Sequence, residues 1–179
     1  RVAYAWDQQR WDSFCLVTPN WQCRLPDFPY SGDQPDGFMD KSSIVDYLQR
    51  FAQHVNADLR EGVAVSRLQP IVNGYRLDTS EGVIEAEHVI VATGGYHIPR
   101  RHPLAERIPA SVQQLDARSY RNPEALPDGP VLVVGNGQSG SQIAEDLHLA
   151  GRSVHLSVGR APRSPRRYRG KDVVDWLDR

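Results

Sequence analysis

The stretch from Val131 to Ser157, VLVVGNGQSGSQIAEDLHLAGRSVHLS, constrains this chain more than any other. Four consecutive apolar residues, Val131 to Val134, carry the mark of a strand buried on both faces of a parallel sheet. Directly after them, Gly135-Asn136-Gly137-Gln138-Ser139-Gly140 fits G-x-G-x-x-G. The residues that follow predict an amphipathic helix with Ile143, Leu147 and Ala150 on one face and Gly151 at its end. Val154 to Ser157 then reads as a second strand, so the order strand, glycine turn, helix, strand predicts a β-α-β unit.

Each glycine has a task in such a unit. Gly135 permits the tight turn, Gly137 lets backbone approach a pyrophosphate, and Gly140 lets the helix pack closely on the strand. With Gln138 and Ser139 at the start of the helix, free N–H groups and the positive dipole end face the phosphates. The plainer alternative is a glycine turn that serves packing alone. Ser157 ends the second strand where an NAD site usually carries Asp or Glu, and Arg160 follows. No carboxylate repels a 2′-phosphate there and a guanidinium can pair with it, so NADPH is expected over NADH. The alternative for Arg160 is a solvated loop charge.

Composition narrows the function classes. Apolar residues make up 40% of the 179 and the formal net charge is −1, so the global charge does not point to nucleic acid or an anionic membrane. Cys15 and Cys23 are the chain's two cysteines and form no CxxC, which argues against a disulfide scaffold or zinc site and for the reducing cytoplasm. No apolar run approaches a membrane span. The chain starts at Arg1 and ends soon after its first clear β-α-β unit, whereas doubly wound domains hold several; an internal piece of a longer protein is expected.

Earlier in the chain, residues 1–39 are rich in Trp, Pro, Asp and Gly without a sustained period, as in irregular structure wrapped over a core or a ligand. Core packing is the simpler role for Trp6, Trp11 and Trp21. A helix is predicted from Lys41 to about Val55, with Ile44, Leu48, Phe51 and Val55 on one face and Asp40 or Ser42 as its cap. Residues 63–86 read as three short strands turning at Asn73-Gly74 and Ser80-Glu81-Gly82. His88 to Ala92 predicts a return to a buried parallel sheet, ending in Thr93-Gly94-Gly95, where backbone could come close to a ligand or simply turn. A proline-rich, charged connector follows, with a short strand expected near Val112 to Leu115. The cations Arg160, Arg163, Arg166, Arg167, Arg169 and Lys171 read as a 2′-phosphate site, a nucleic-acid patch or a solvated loop; no wider basic surface supports the second.

Taken in order, these segments resemble the flavin-containing monooxygenases, class B flavoproteins. Val89-Ile90-Val91-Ala92-Thr93-Gly94-Gly95-Tyr96-His97-Ile98-Pro99 resembles the family's ATG-x-Y-x-x-P hinge, and Arg118-Ser119-Tyr120-Arg121-Asn122-Pro123 resembles the end of its H-S-x-x-Y-R-N-P segment. The glycine motif follows a dozen residues later, as in the family. The resemblance implies an α/β fold of two Rossmann-like dinucleotide-binding domains, for FAD and NAD(P), both incomplete, with an antiparallel β-meander in the first. Residues 1–95 would be the partial FAD domain without its own G-x-G-x-x-G, 96–129 the hinge, and 130–179 the N-terminal part of the NADP domain.

The same resemblance implies the site. Gly135, Gly137, Gln138, Ser139, Gly140, Ser157 and Arg160 would serve NADPH. Ala92, Thr93 and Gly94 would lie beside the FAD phosphates, and the backbone of Val65 near the adenine. Leu16-Val17-Thr18-Pro19-Asn20 resembles the segment whose asparagine sits at the flavin ring, making Asn20 the catalytic residue, with Thr18 beside it and Trp11 and Trp21 covering the ring. The implied activity is FAD- and NADPH-dependent insertion of one oxygen atom into a small organic substrate through a peroxyflavin. A small-molecule substrate is the expected partner, with neither nucleic acid nor membrane, and a homodimer is left open. One signature differs: Ala110, Val112 and Asp116 stand where F-x-G-x-x-x-H has Phe, Gly and His. The competing readings are a flavin reductase or oxidase without oxygen transfer, a disulfide reductase, and a non-catalytic or degenerate nucleotide-binding module.

Overall fold

The computed structural model describes residues 1–160 and 165–177. Helix α2 (Lys41–His54) anchors the N-terminal part: the Asp40 carboxylate accepts from the Ser43 N–H at 2.7 Å and caps its start. Ile44 and Tyr47 on its inner face are buried. The Tyr47 hydroxyl donates to the Phe28 carbonyl (2.6 Å) and accepts from the Leu25 N–H (3.2 Å), which ties down the hairpin of β1 (Arg24–Leu25) and β2 (Phe28–Pro29). A short helix α1 (Tyr4–Gln8), not anticipated in this irregular region, leads into the chain.

The hydrophobic core runs across both halves of the chain. Trp11, Phe14, Leu16, Met39, Ile44 and Tyr47 from the first meet Tyr120, Ile143 and Leu147 from the second. Trp11 is buried with its ring edge-on to Phe14, 5.2 Å between centroids. Residues 14–21 lie antiparallel to residues 35–41: the Leu16 N–H donates to the Met39 carbonyl (2.8 Å) and the Lys41 N–H to the Phe14 carbonyl (3.0 Å).

The meander forms as its turn residues predict. β3 (Val65–Ile71), β4 (Gly74–Thr79) and β5 (Gly82–Ala86) pair antiparallel in sequence order, with Asn73 at φ 64° in the first turn and a register shift between Val65 and Arg67. None of its residues is fully buried.

Two expected strands are absent. His88 to Ala92 forms no ladder with any strand among the described residues, and Ile90 and Val91 are 90% and 68% exposed. The apolar run is strand-like; no described strand lies beside it, and a ladder needs a partner. Val112 to Leu115 is likewise irregular. The connector instead holds 3₁₀ turns at Pro103–Arg107 and Pro123–Ala125, each opened by a proline at a position that needs no N–H.

β6 (Val131–Val134), α3 (Gln138–Leu149) and β7 (Val154–Ser157) make the predicted β-α-β unit, the two strands parallel with Val131 opposite Val154 and Val134 opposite Ser157. Burial departs from expectation on two points. Leu132 and Val134 are 61% and 72% exposed, because the ladder has two strands and the core covers the face of Val131 and Val133. Ala150 falls beyond the last helical turn and is exposed, leaving Ile143 and Leu147 as the buried stripe. The basic segment folds into a hairpin of β8 (Arg167–Tyr168) and β9 (Lys171–Asp172), followed by α4 (Val173–Leu177). Arg163 lies outside the described residues.

Side chains fasten the connector to its neighbours. The Tyr120 hydroxyl donates to Asp146 on α3 at 2.6 Å, and burial together with that carboxylate pushes its pKa up. The Arg152 guanidinium donates to the carbonyls of Pro123 (3.1 Å), Gly129 (3.1 Å) and Pro127. Asp12 accepts from Lys41 (3.1 Å) and Asn122 (2.7 Å), contacts that hold its carboxyl below the usual range.

Candidate cofactor and active site

The glycine turn is built as its spacing implies. Gly135 has φ 104°, a left-handed conformation that side chains resist, and its N–H donates to the Ser157 carbonyl at 3.0 Å. A Cβ on Gly140 would lie 2.0 Å from the Gly135 carbonyl oxygen, so the first turn of α3 can rest on the glycine turn only without one. Gly137 differs: its φ is −71° and a Cβ there would meet nothing within 4 Å. The chain's own packing gives no reason for glycine at 137. Open space above backbone at the start of a helix is what an approaching phosphate requires. The residues present therefore fit a dinucleotide. Asn136 completes the loop by accepting from the Gly159 N–H at 3.3 Å, which sets Arg160 beside the motif. Arg160 is exposed and makes no hydrogen bond or ion pair among the described residues.

A second group of the predicted residues gathers about Asn20. Its backbone N–H donates to the Gly37 carbonyl (2.9 Å) and its side-chain Nδ2 to the Gln34 carbonyl (2.9 Å). Asn20 is 4% exposed, and its Oδ1 is buried without a partner among the described residues. An orphaned amide acceptor of this kind costs about 1–3 kcal/mol. With Nδ2 already committed, the free oxygen is a fixed acceptor for a donor brought by a ligand. Thr18 is half-buried beside it, Pro19 is fully buried, and Trp11 stands in the core with its indole N–H also unpartnered among the described residues. The two groups touch through Gln142 of α3, whose Nε2 donates to the Cys15 carbonyl at 3.0 Å.

The third group stands apart. Ala92, Thr93 and Gly94 are exposed, Gly94 in a left-handed turn at φ 75°, and Val65 is 55% exposed at the start of the meander. No hydrogen bond among the described residues joins them to Asn20 or to the glycine turn. Sequence reasoning gave no role in the site to Gln34, Gly37 and Gln142. Gln34 and Gly37 left a trace in the turn sequence Gln34-Pro35-Asp36-Gly37; Gln142 acts through a contact distant in the chain. Both cysteines are free, and burial pushes both thiols up, away from reactive thiolates.

Residues 24–177 match the family profile described as pyridine nucleotide-disulphide oxidoreductase. The chain belongs to that family. An uncharacterized CzcO-like oxidoreductase of Geobacillus kaustophilus (strain HTA426) is 38% identical over 178 residues, 99% of this chain and 50% of the relative. The Arabidopsis thaliana protein named "Probable indole-3-pyruvate monooxygenase YUCCA8" is 28% identical over 165 residues, 86% of this chain and 38% of the relative. Among solved structures, a flavin-containing monooxygenase from Stenotrophomonas maltophilia shares the fold at TM-score 0.76 and 21% identity, over 98% of this chain and 52% of that one. Bacillithiol disulfide reductase from Staphylococcus aureus shares it at TM-score 0.70 and 16% identity, over 88% and 47%.

The chain thus spans about half the length of the curated relatives it matches. The flavin-monooxygenase likeness read from the motifs reappears in the named relatives and in the fold. For this pyridine nucleotide-disulphide oxidoreductase family member the comparisons support an α/β fold with an antiparallel sheet. Among the described residues no helix is long and apolar enough to cross a membrane.

Proposed function

We propose that the whole protein is an FAD- and NADPH-dependent monooxygenase that transfers one oxygen atom from O₂ to a small organic substrate. The observation that carries this reading is Asn20: a buried amide with its nitrogen held by Gln34 and its oxygen left open. Flavin supplies the activation of dioxygen and nicotinamide the hydride, the hard chemistry of such enzymes. This chain's residues bind, orient and keep water out.

Gly135, Gly137, Gln138, Ser139 and Gly140 would hold the pyrophosphate of NADPH on backbone N–H groups at the start of α3. Ser157 leaves the ribose 2′ position free of a carboxylate, and Arg160, unengaged among the described residues, would pair with its phosphate. Ala92, Thr93 and Gly94 offer exposed backbone to FAD, and Val65 lies at the edge of the same half. At the reacting centre the Asn20 Oδ1 would accept a hydrogen bond from a cofactor N–H, while the wall of Trp11, Phe14 and Leu16 behind the segment keeps it dry. Arg160 selectivity, the two domains and the cytoplasmic location, supported by two free cysteines, belong to this same proposal.

A disulfide-reductase activity is the second reading, favoured by the shared fold with the bacillithiol enzyme. The raised thiols of Cys15 and Cys23 give it no reactive thiolate in this chain. The test uses the full-length protein. It should purify yellow, oxidise NADPH in preference to NADH, and place ¹⁸O from ¹⁸O₂ in an organic product, with Asn20→Ala lowering product per NADPH. Colourless protein, or NADPH oxidation that yields only peroxide or thiol, would overturn the proposal.

A further inference from the structure

Arg166 opens the run Arg166, Arg167, Arg169, Lys171 that the sequence offers to a phosphate. The structure gives it another occupation. Its Nε donates to the Asp172 carboxylate at 2.6 Å, which holds the guanidinium against its own hairpin. Its Nη1 crosses to the other half of the chain and donates to the Val17 carbonyl at 2.6 Å. Its Cζ stands 4.6 Å from the ring centroid of Phe38, a cation–π distance.

Those two contacts fall on the two segments that hold Asn20. Val17 precedes Asn20 by three residues, with the buried Pro19 stiffening the link at φ −58°. Phe38 follows Gly37, whose carbonyl receives the Asn20 N–H. One planar guanidinium therefore clamps both sides of the Asn20 loop and ties them to β8–β9, beyond the nucleotide strand β7. A lysine could not reproduce this, since its point charge lacks the fork that serves Asp172 and Val17 together.

We infer that Arg166 is a positioning residue for Asn20, fixing the amide relative to the nicotinamide-nucleotide unit, and not a phosphate ligand. The inference rests on the role proposed for Asn20. Its test has an arm that is independent of turnover.

In the full-length protein, hydrogen exchange is followed by mass spectrometry on the peptide spanning residues 14–22, with residues 44–54 of α2 as internal reference. Arg166→Ala should speed exchange of the 14–22 peptide by about tenfold through local opening, leave the reference unchanged, and Arg166→Lys should fall between. Phe38→Leu, which spares the Asp172 pairing, should speed the same peptide if Arg166→Ala fails to fold. In turnover, Arg166→Ala should raise peroxide released per NADPH oxidised, with the NADPH-over-NADH preference intact. Unchanged exchange in the folded variants overturns the inference. So does a lost NADPH preference with exchange unchanged, which would make Arg166 a phosphate ligand. Faster exchange without extra peroxide, in an enzyme whose wild type incorporates oxygen, overturns it too. A wild type that incorporates no oxygen defeats the monooxygenase reading instead.

Discussion

Val89-Ile90-Val91-Ala92 and Val131-Leu132-Val133-Val134 are near twins as sequence, both apolar, rich in β-branched residues and followed by a glycine turn. Only the second becomes a strand. It has β7 to pair with and α3 to pack beneath it, whereas the first meets no strand among the described residues. β propensity describes a side chain's fit to a pleated surface that something else must complete. The glycine turns follow suit: Gly135 is locked by the Ser157 carbonyl, while Gly94 turns in the open.

Substitutions can break or sharpen this contrast. The largest effect should come from Leu147→Ala. Leu147 is 0% exposed where α3 meets the shared core, and its truncation should cost about 3–4 kcal/mol in urea unfolding, the usual scale for a buried leucine. A cost below about 1 kcal/mol would mean that α3 does not hold the second twin in place.

Next comes Gly140→Ala. Its Cβ would sit 2.0 Å from a backbone oxygen, so helix and turn must separate, at a cost of about 2–3 kcal/mol and with NADPH affinity lost in parallel. Gly137→Ala meets no such obstruction and should leave stability within about 0.5 kcal/mol while weakening NADPH binding. If both variants lost the same stability, the distinction between the packing glycine and the ligand glycine would fail.

Asp40→Ala removes the cap of α2 and should cost about 1 kcal/mol. Hydrogen bonds from the Ser43 backbone and the Ser42 side chain hold the Asp40 carboxyl below its usual range. Its folded pKa is depressed, so the contribution is complete above the unfolded value of about 3.9 and fades as pH falls through the lower folded value. The difference between wild type and Asp40→Ala should therefore shrink in acid, as unfolding curves at successive pH values would show.

The smallest effect is assigned to the unpaired twin. Val91→Asp should change the stability of the 179-residue chain by less than about 0.5 kcal/mol, since the side chain is already in water. In a full-length protein where a neighbouring strand buries Val91, the same change should cost about 2 kcal/mol or more. Equal effects in the two settings would show that the apolar run has no sheet to return to.

Much of the fold was legible because its cues are local. Asp40 announces a helix, Asn73-Gly74 a hairpin, and the residues around Gly135 a strand, turn and helix in fixed order. The candidate site was legible only in outline. Asn20 emerged from a family-like segment, but its carbonyl partners at Gln34 and Gly37, and the links through Gln142 and Arg166, join residues up to 149 apart. The β8–β9 hairpin hid because Arg169 occupies the left-handed turn position before Gly170, at φ 50°, where the preferred residues are Asn, Asp or Gly. The run of cations around it drew attention to charge; Arg169 and Lys171 lie instead over the rings of Tyr168 and Trp176, at 5.2 and 5.8 Å.

Arg152 has a mechanical consequence. By gripping carbonyls at Pro123, Pro127 and Gly129 it splints the stretch leading into β6. A splinted stretch is an arm, not a pivot: residues 123–130 must travel as one rigid piece with the β-α-β unit. Any swivel of that unit has its axle upstream of Tyr120, which is pinned to α3 of the unit through Asp146.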